Sequence, residues 1–447
     1  MATLTASRAA ADHYLTAIER AGRDRAHEPA WLRDARRRAA DAFGSMGVPT
    51  TRDEEWRVTN VSPIADTPFV TAPPASAAVE EAGGFQVPGL AGPRLVFVNG
   101  RYAAELSAPG VRSAGVTVST IADAIEHASV SLESWLARDQ DYTGHPFAAL
   151  NTALFDDGAL VTLADDTVAG DPIQLVFLST ATPAPAMSAP RVLVRLGRNS
   201  QARLIETFGS IGPASGFTNA VTEVVVGDGS VLEHCRVQRE SELAFHIGRT
   251  EFRLGRSSRS LSHAFALGGR IARHDALAVL GDEGAECTLN GFYLAGGSQL
   301  IDNHTDIDHA RPHGTSHELY KGILAGRARG VFNGRIRVRP DAQKTDAKQT
   351  NKALLLSDES QINTKPQLEI FANDVKCTHG ATVGQLSQDA LFYLRTRGIG
   401  LDDARSLLVR AFATDVTSRI GLEPVRAELD RLIASRLPGL LAREVRR

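Results

Sequence analysis

Val221-Thr222-Glu223-Val224-Val225-Val226-Gly227-Asp228-Gly229-Ser230-Val231-Leu232-Glu233-His234-Cys235-Arg236-Val237 is the stretch on which the fold turns. Two runs rich in β-branched residues flank a Gly-Asp-Gly-Ser tetrad, which is strand, tight turn, strand. The same cadence recurs at 173–178, 191–196, 289–294, 331–338, 354–356 and 368–370, with Gly, Asp and Asn between the runs. From about 157 to 380 the chain therefore reads as an all-β body with turns at intervals of roughly ten residues. A sandwich, a barrel and a β-solenoid all fit this cadence, and no strict sequence repeat selects among them.

Outward from this body the pattern becomes helical at both ends. Residues 1 to about 62 read as helix, with Trp31, Ala35, Ala39 and Phe43 recurring every fourth position as one apolar stripe. Gly44, Gly47 and Pro49 stop it, and Arg36, Arg37 and Arg38 beside it read as a solvated face. Residues 67–93, rich in Pro, Ala and Gly, suggest a linker or irregular edge. Residues 95–102 read as a strand entering an Asn-Gly turn, and a helical insertion follows near 120–137 with Ile121, Ile125 and Leu136 on its apolar side.

After Gly384, Ser387 is placed to cap a helix over 388–397 that ends at Gly398. Leu401, Ala404, Leu408, Ala411 and Phe412 line one face of a second helix, and Pro424 opens a third with Val425, Leu429, Leu432 and Ile433. The expected division is 1–93 helical region and linker, 94–384 β core, 385–447 helical region. The last region could cap an open end of the core or dock a partner.

Composition bounds the function. With 447 residues, 43% hydrophobic and 23% charged, the chain has the makings of a large buried core. A net charge of −3 argues against a general polyanion binder. Cys235, Cys287 and Cys377 are too few and too scattered for a disulfide framework, which suggests a reducing cytoplasm. No apolar run reaches the 18 or so residues of a membrane span, and no secretory leader is expected.

Three constellations could carry chemistry. Cys377 and His379 in Asp374-Val375-Lys376-Cys377-Thr378-His379-Gly380 would share a face of a strand, roughly 6.5–7 Å apart. Both are ligands for soft or borderline metals, but two ligands cannot hold an iron–sulfur cluster or a tetrahedral zinc. His304, His309, His313 and His317 form the second group; Pro312 and Gly314 make a helix through them improbable, so histidines on turns are expected. The third is the basic run 327–352, in which Arg335, Arg337 and Arg339 alternate as one side of a strand, a polar face or charged interface rather than a nucleic-acid reader. No phosphate loop and no nucleophile elbow are present, so the chain should not itself hydrolyse ATP.

Further blocks carry a resemblance. They are Arg52-Asp53-Glu54-Glu55-Trp56-Arg57, residues 95–100, Ala149-Leu150-Asn151-Thr152-Ala153-Leu154, Tyr320-Lys321-Gly322-Ile323-Leu324, Val331-Phe332-Asn333-Gly334 and residues 344–351. Residues 354–357, Lys365-Pro366-Gln367-Leu368-Glu369-Ile370 and residues 392–399 complete them. Together with Lys376–Gly380 they resemble the SufB/SufD family of the SUF iron–sulfur cluster assembly machinery. Cys377-Thr378-His379-Gly380 is similar to the SufD branch, since SufB-like chains carry an acidic, histidine-containing stretch there.

The resemblance implies a mainly β fold, a right-handed parallel β-helix core flanked by helical regions. It implies a non-catalytic scaffold that pairs with a SufB-like paralogue through the β-helix cores, binds the SufC ATPase at its C-terminal helices, and holds a transient iron–sulfur cluster at the shared interface. His379 would face that interface as the essential residue with Cys377 beside it, and Leu401, Ala404, Leu408, Ala411 and Phe412 would dock SufC. Cys235 and Cys287 inherit no role. A reduced flavin accompanies some such complexes, although the sequence shows no fingerprint for one. A homodimer when the paralogue is missing stays open. The rival reading is a metal-dependent β-helix or β-barrel enzyme with His304, His309 or His313 as ligands.

Overall fold

The computed structural model describes residues 2–75, 79–110, 114–127, 132–136 and 142–442. The strands on either side of Gly227-Asp228-Gly229-Ser230 do not pair with each other. Phe217–Val226 pairs in parallel with Phe245–Leu254, and Val231–Arg239 pairs in parallel with Arg259–Ala266. Each turn therefore passes the chain from one sheet to the other, and the chain coils instead of folding back. The result is a parallel β-solenoid, with one ladder of eight strands from Gly158–Leu163 to Gln361–Ile370 and a second of eight from Ile173–Thr180 to Lys376–Gly384 among the described residues.

One turn of the solenoid takes from 26 residues, Phe245 to Ile271, to 33, Gly158 to Arg191. That variable length is why no strict repeat is visible in the sequence. What repeats is backbone conformation at one corner. Asp166, Asn199, Gly229, Ser257, Gly284, His313 and Lys344 all have φ between 51° and 70°. Each donates its N–H to a corner carbonyl of the next turn: Arg198, Asp228, Arg256, Glu283, Pro312, Gln343 and Asp374 respectively. Gly, Asn and Asp are at ease in this left-handed region, whereas Ser257, His313 and Lys344 are held there against their own preference.

The two ladders enclose an interior that includes Leu175, Leu204, Phe252, Leu289, Ile307 and Phe332. The outer face of the first sheet is covered by the N-terminal region, with Leu32, Phe43 and Trp56 packed into one cluster with Phe217, Phe245 and Ile271. The outer face of the second is covered by the helices Leu401–Thr417 and Glu423–Ala442, whose Val409, Val416, Leu429 and Ile433 meet Val237, Phe265, Phe292 and Ile323. The C-terminal helices flank the solenoid and leave its last turn open.

The expected local elements are largely present. Ser387 Oγ accepts the Ala390 N–H at the start of Gln388–Thr396, and Asn99 and Gly100, both at positive φ, join Arg94–Val98 to the antiparallel Arg101–Tyr102. Ala35, Ala39 and Phe43 are buried on the helix Ala30–Met46. The arginine triplet beside them departs from expectation. Arg36 is buried, paired with Glu28 at 2.9 Å and lying 4.0 Å over the Phe155 ring, so only Arg37 and Arg38 face solvent. Of the insertion near 120–137, the helix Ile121–Glu126 and the short turn Leu132–Ser134 are present, and residues 128–131 and 137 lie outside the described residues.

Candidate functional site

The site is built by the last turn of the solenoid. Lys376–Gly384 pairs on one side with Asp346–Leu355 and ends its ladder, as Gln361–Ile370 ends the other. In Asp346–Leu355 the residues Ala347, Gln349, Asn351 and Ala353 are buried, and Lys348 and Lys352 between them are exposed. Their partners one strand on are Cys377, His379, Ala381 and Val383. These four continue the inward-facing row, with no further turn above them among the described residues. Cys377 and His379 thus share a face, as alternation requires.

The two differ in environment. Cys377 is half-buried against Ala347, Ile336 and Val338, and burial pushes its thiol up. His379 is exposed. On the same last turn Val383, Ile370 and Phe371 are 47%, 39% and 63% exposed, an apolar contribution to the open end.

Beneath His379 the inward row continues as polar groups. Gln349 Nε2 donates to Glu318 Oε2 at 2.6 Å, and both side chains are buried. Burial pushes the Glu318 carboxyl up to about 7, with Thr305 and Gln349 pulling the other way. The Gln349 Oε1 atom is buried without a partner. Gly334 in the facing sheet makes room for this amide, since a Cβ there would lie 2.2 Å from Gln349 Nε2. Sequence reasoning missed both Gln349 and Glu318. Only the register, which sets Glu318 opposite Gln349 and Gln349 opposite His379, brings them together.

The other candidate cysteines and histidines lie elsewhere in the fold. Cys235 and Cys287 are fully buried and their thiols are driven far above the ordinary range by burial. His304 and His309 lie on the strand Leu300–His309 and His317 on Thr315–Leu324, not on turns as expected. His313 does sit at a corner, one of the left-handed positions. His309 Nε2 is 2.9 Å from Ser316 Oγ, and burial pushes it down to about 4.

His304 belongs to a clamp. It lies 3.1 Å from Asp302 and 3.3 Å from Glu55, Arg273 reaches Asp302 at 3.2 Å, and the Arg273 guanidinium lies 3.7 Å over Trp56. Despite burial, His304 and Arg273 hold the Asp302 carboxyl at about 2. The block Arg52–Arg57 thus serves as a strap that ties the N-terminal region to the solenoid. Among the described residues no three His, Cys, Asp or Glu side chains are arranged to hold a metal.

On the helix Leu401–Thr417 the five expected docking residues do not form one outward face. Ala404 is fully buried, and Phe412 is partly buried beneath Lys321, whose Nζ stands 3.8 Å over the ring. Leu401 and Ala411 are exposed and Leu408 half-buried. Phe392, Tyr393 and Leu407, at 71%, 56% and 48% exposure, add to the outward apolar surface. The basic run is largely neutralised across strands: Arg335 pairs with Asp306, Arg337 with Glu369 and Arg339 with Asp308.

Comparison with known proteins matches two family descriptions. Residues 177–412 match the SUF system FeS cluster assembly, SufBD core domain, and residues 11–175 match the SufBD protein N-terminal region. The second match takes in the first strands of the solenoid as well as the N-terminal helices. The chain is 35% identical over 417 residues to an iron-sulfur cluster assembly SufBD family protein of Synechocystis, covering 92% of each. It is 30% identical over 402 residues to the iron-sulfur cluster assembly protein SufD of Escherichia coli, covering 88% of this chain and 90% of that one. A SufD of Bacillus subtilis is 24% identical over 419 residues, 91% and 94% of the two chains.

Proposed function

This chain belongs to the SufBD family of iron–sulfur cluster assembly proteins, and from that premise we propose that it acts as a scaffold and not as a catalyst. Its open end pairs with the β-helix of a SufB-like paralogue in the cytoplasm, and the nascent cluster is held as cargo between the two. His379 is this chain's ligand and Cys377 packs beside it, with the other ligands supplied by the paralogue. A second copy of the chain is the occupant of this end when the paralogue is missing.

One observation carries the reading. The inward row Cys377, His379, Ala381 and Val383 ends the solenoid with no further strand above it among the described residues, and Ile370, Phe371 and Val383 on the same turn are exposed. A strand edge with an apolar rim invites another sheet. Coordination arithmetic points the same way, because Cys377 and His379 alone fall short of the ligands a cluster needs.

The SufC ATPase docks on the C-terminal helices through Leu401, Leu408, Ala411 and the exposed Phe392, Tyr393 and Leu407. Ala404 and Phe412 support this surface by fixing the helix to the solenoid. ATP-driven movement of SufC rearranges the paired open ends. No residue is assigned to a flavin. The rival metal-dependent enzyme gains no support, because His304, His309 and His313 are engaged in a clamp, a serine contact and a corner.

The test is anaerobic cluster reconstitution on the chain co-expressed with SufB-like and SufC-like partners. His379→Ala is expected to leave the complex assembled and remove most of its cluster. An unchanged cluster yield would sink the role given to His379.

A further inference from the structure

We infer that Gln349, backed by Glu318, is the positioning residue that fixes the ring orientation and tautomer of His379; the inference rests on His379 being the cluster ligand proposed above. Glu318, Gln349 and His379 occupy one inward row on three successive turns, each in register with the next. Neighbouring strands stand about 4.8 Å apart, so side chains in such a row are immediate neighbours. Gln349 Nε2 donates to Glu318 Oε2 at 2.6 Å, which commits the NH2 side of the amide to the turn below. The amide oxygen Oε1 is consequently the atom left for the next layer, and it is buried with no partner.

A buried acceptor without a donor is costly, and the side chain in register with it on the next strand is the imidazole of His379, which can donate an N–H. No hydrogen bond joins the two in the isolated chain, where His379 is exposed. Covering the open end brings the ring down onto the amide. An imidazole that donates one N–H to Gln349 keeps its other nitrogen unprotonated, with its lone pair turned away from the core toward the cargo. Ligating histidines are commonly oriented in this way by a hydrogen bond from the second ring nitrogen.

The surroundings fix the amide rather than merely accommodate it. Gly334 leaves room that any larger residue would take, since its Cβ would lie 2.2 Å from Nε2 and 2.8 Å from the amide carbon. Gln349 is therefore confined between Glu318 below, the facing backbone at Gly334, and His379 above. Its neighbours in the row on the same strand, Ala347 and Asn351, lie in register with Cys377 and Ala381, and Gln349 alone of the three is in register with His379.

The experiment uses the complex of this chain with SufB-like and SufC-like partners, with histidines labelled by nitrogen-15 and the His379 signals assigned with His379→Gln. The wild type is expected to show one neutral His379 tautomer. Gln349→Met, which keeps the volume but offers no acceptor, is expected to show both, and to lose its reconstituted cluster to an iron chelator about tenfold faster or more. Glu318→Gln, a change that preserves shape and frees the amide to turn over, is expected to mix the tautomers in an intact complex. This second variant reads the same property should Gln349→Met fold poorly. Wild-type tautomer and cluster lifetime in both variants, alongside cluster loss in His379→Ala, would overturn the role of Gln349 and leave the site standing. Cluster retention in His379→Ala would overturn the site and this inference with it.

Discussion

Glu318 is 3% exposed and its carboxyl is pushed up to about 7, with burial the largest cause. An acid that binds its proton more tightly folded than unfolded stabilises the fold below its unfolded value, near 4.5 here, and loses that contribution as pH rises through 7. Stability should therefore fall across this window by an amount on the order of 3 kcal/mol, and Glu318→Gln should flatten that part of the profile. Urea unfolding at pH 4.5, 6 and 8 reads it; equal slopes for the two proteins would contradict the assignment. Cys377 and His379 were legible in sequence because strand alternation alone sets both on one face. Glu318 and Gln349 were not. Their place under His379 depends on register steps of 31 residues, Glu318 to Gln349, and 30, Gln349 to His379, which no local pattern encodes.

The strand Leu300–His309 shows why other elements went unread. Its inward positions Ile301, Asn303, Thr305 and Ile307 mix polar with apolar, so period-two alternation is blurred. Polar groups recur inside this solenoid: Glu206, His234, Arg236, Glu240, His246 and His274 are all buried. They are satisfied in part by each other, as in the 2.7 Å contact of His246 with Glu240 and the 3.0 Å contact of Thr250 with His274. The helices, by contrast, carry their stripes and caps locally, and Ser387 and Phe43 could be placed from sequence. Pro366, which would normally weaken a strand assignment, sits on Gln361–Ile370, the terminal strand of its ladder, where proline is tolerated. At the corners His313 holds one of the left-handed positions. His313→Gly should accordingly raise stability by up to about 1 kcal/mol, measured by urea unfolding, and leave cluster assembly unchanged. A loss of assembled cluster in this variant would reopen a ligand role.

At the scale of the whole molecule, each outer face of the solenoid has its own helical cover, and among the described residues the final turn has none. Of the alternatives left by the sequence, the C-terminal helices do not cap the open end: they lie along the second sheet. Sandwich, barrel and solenoid could not be separated by cadence, because all three share short strands and frequent turns, and only the parallel register distinguishes them. An open end that exposes the inward row and an apolar rim is the surface on which the whole functional account depends. Amide hydrogen exchange across Lys376–Gly384, with and without the SufB-like partner, tests it most directly. The account predicts that the partner slows exchange in this strand by tenfold or more, as new edge hydrogen bonds close over it. Exchange at the same rate in the free chain and in the intact complex would contradict it.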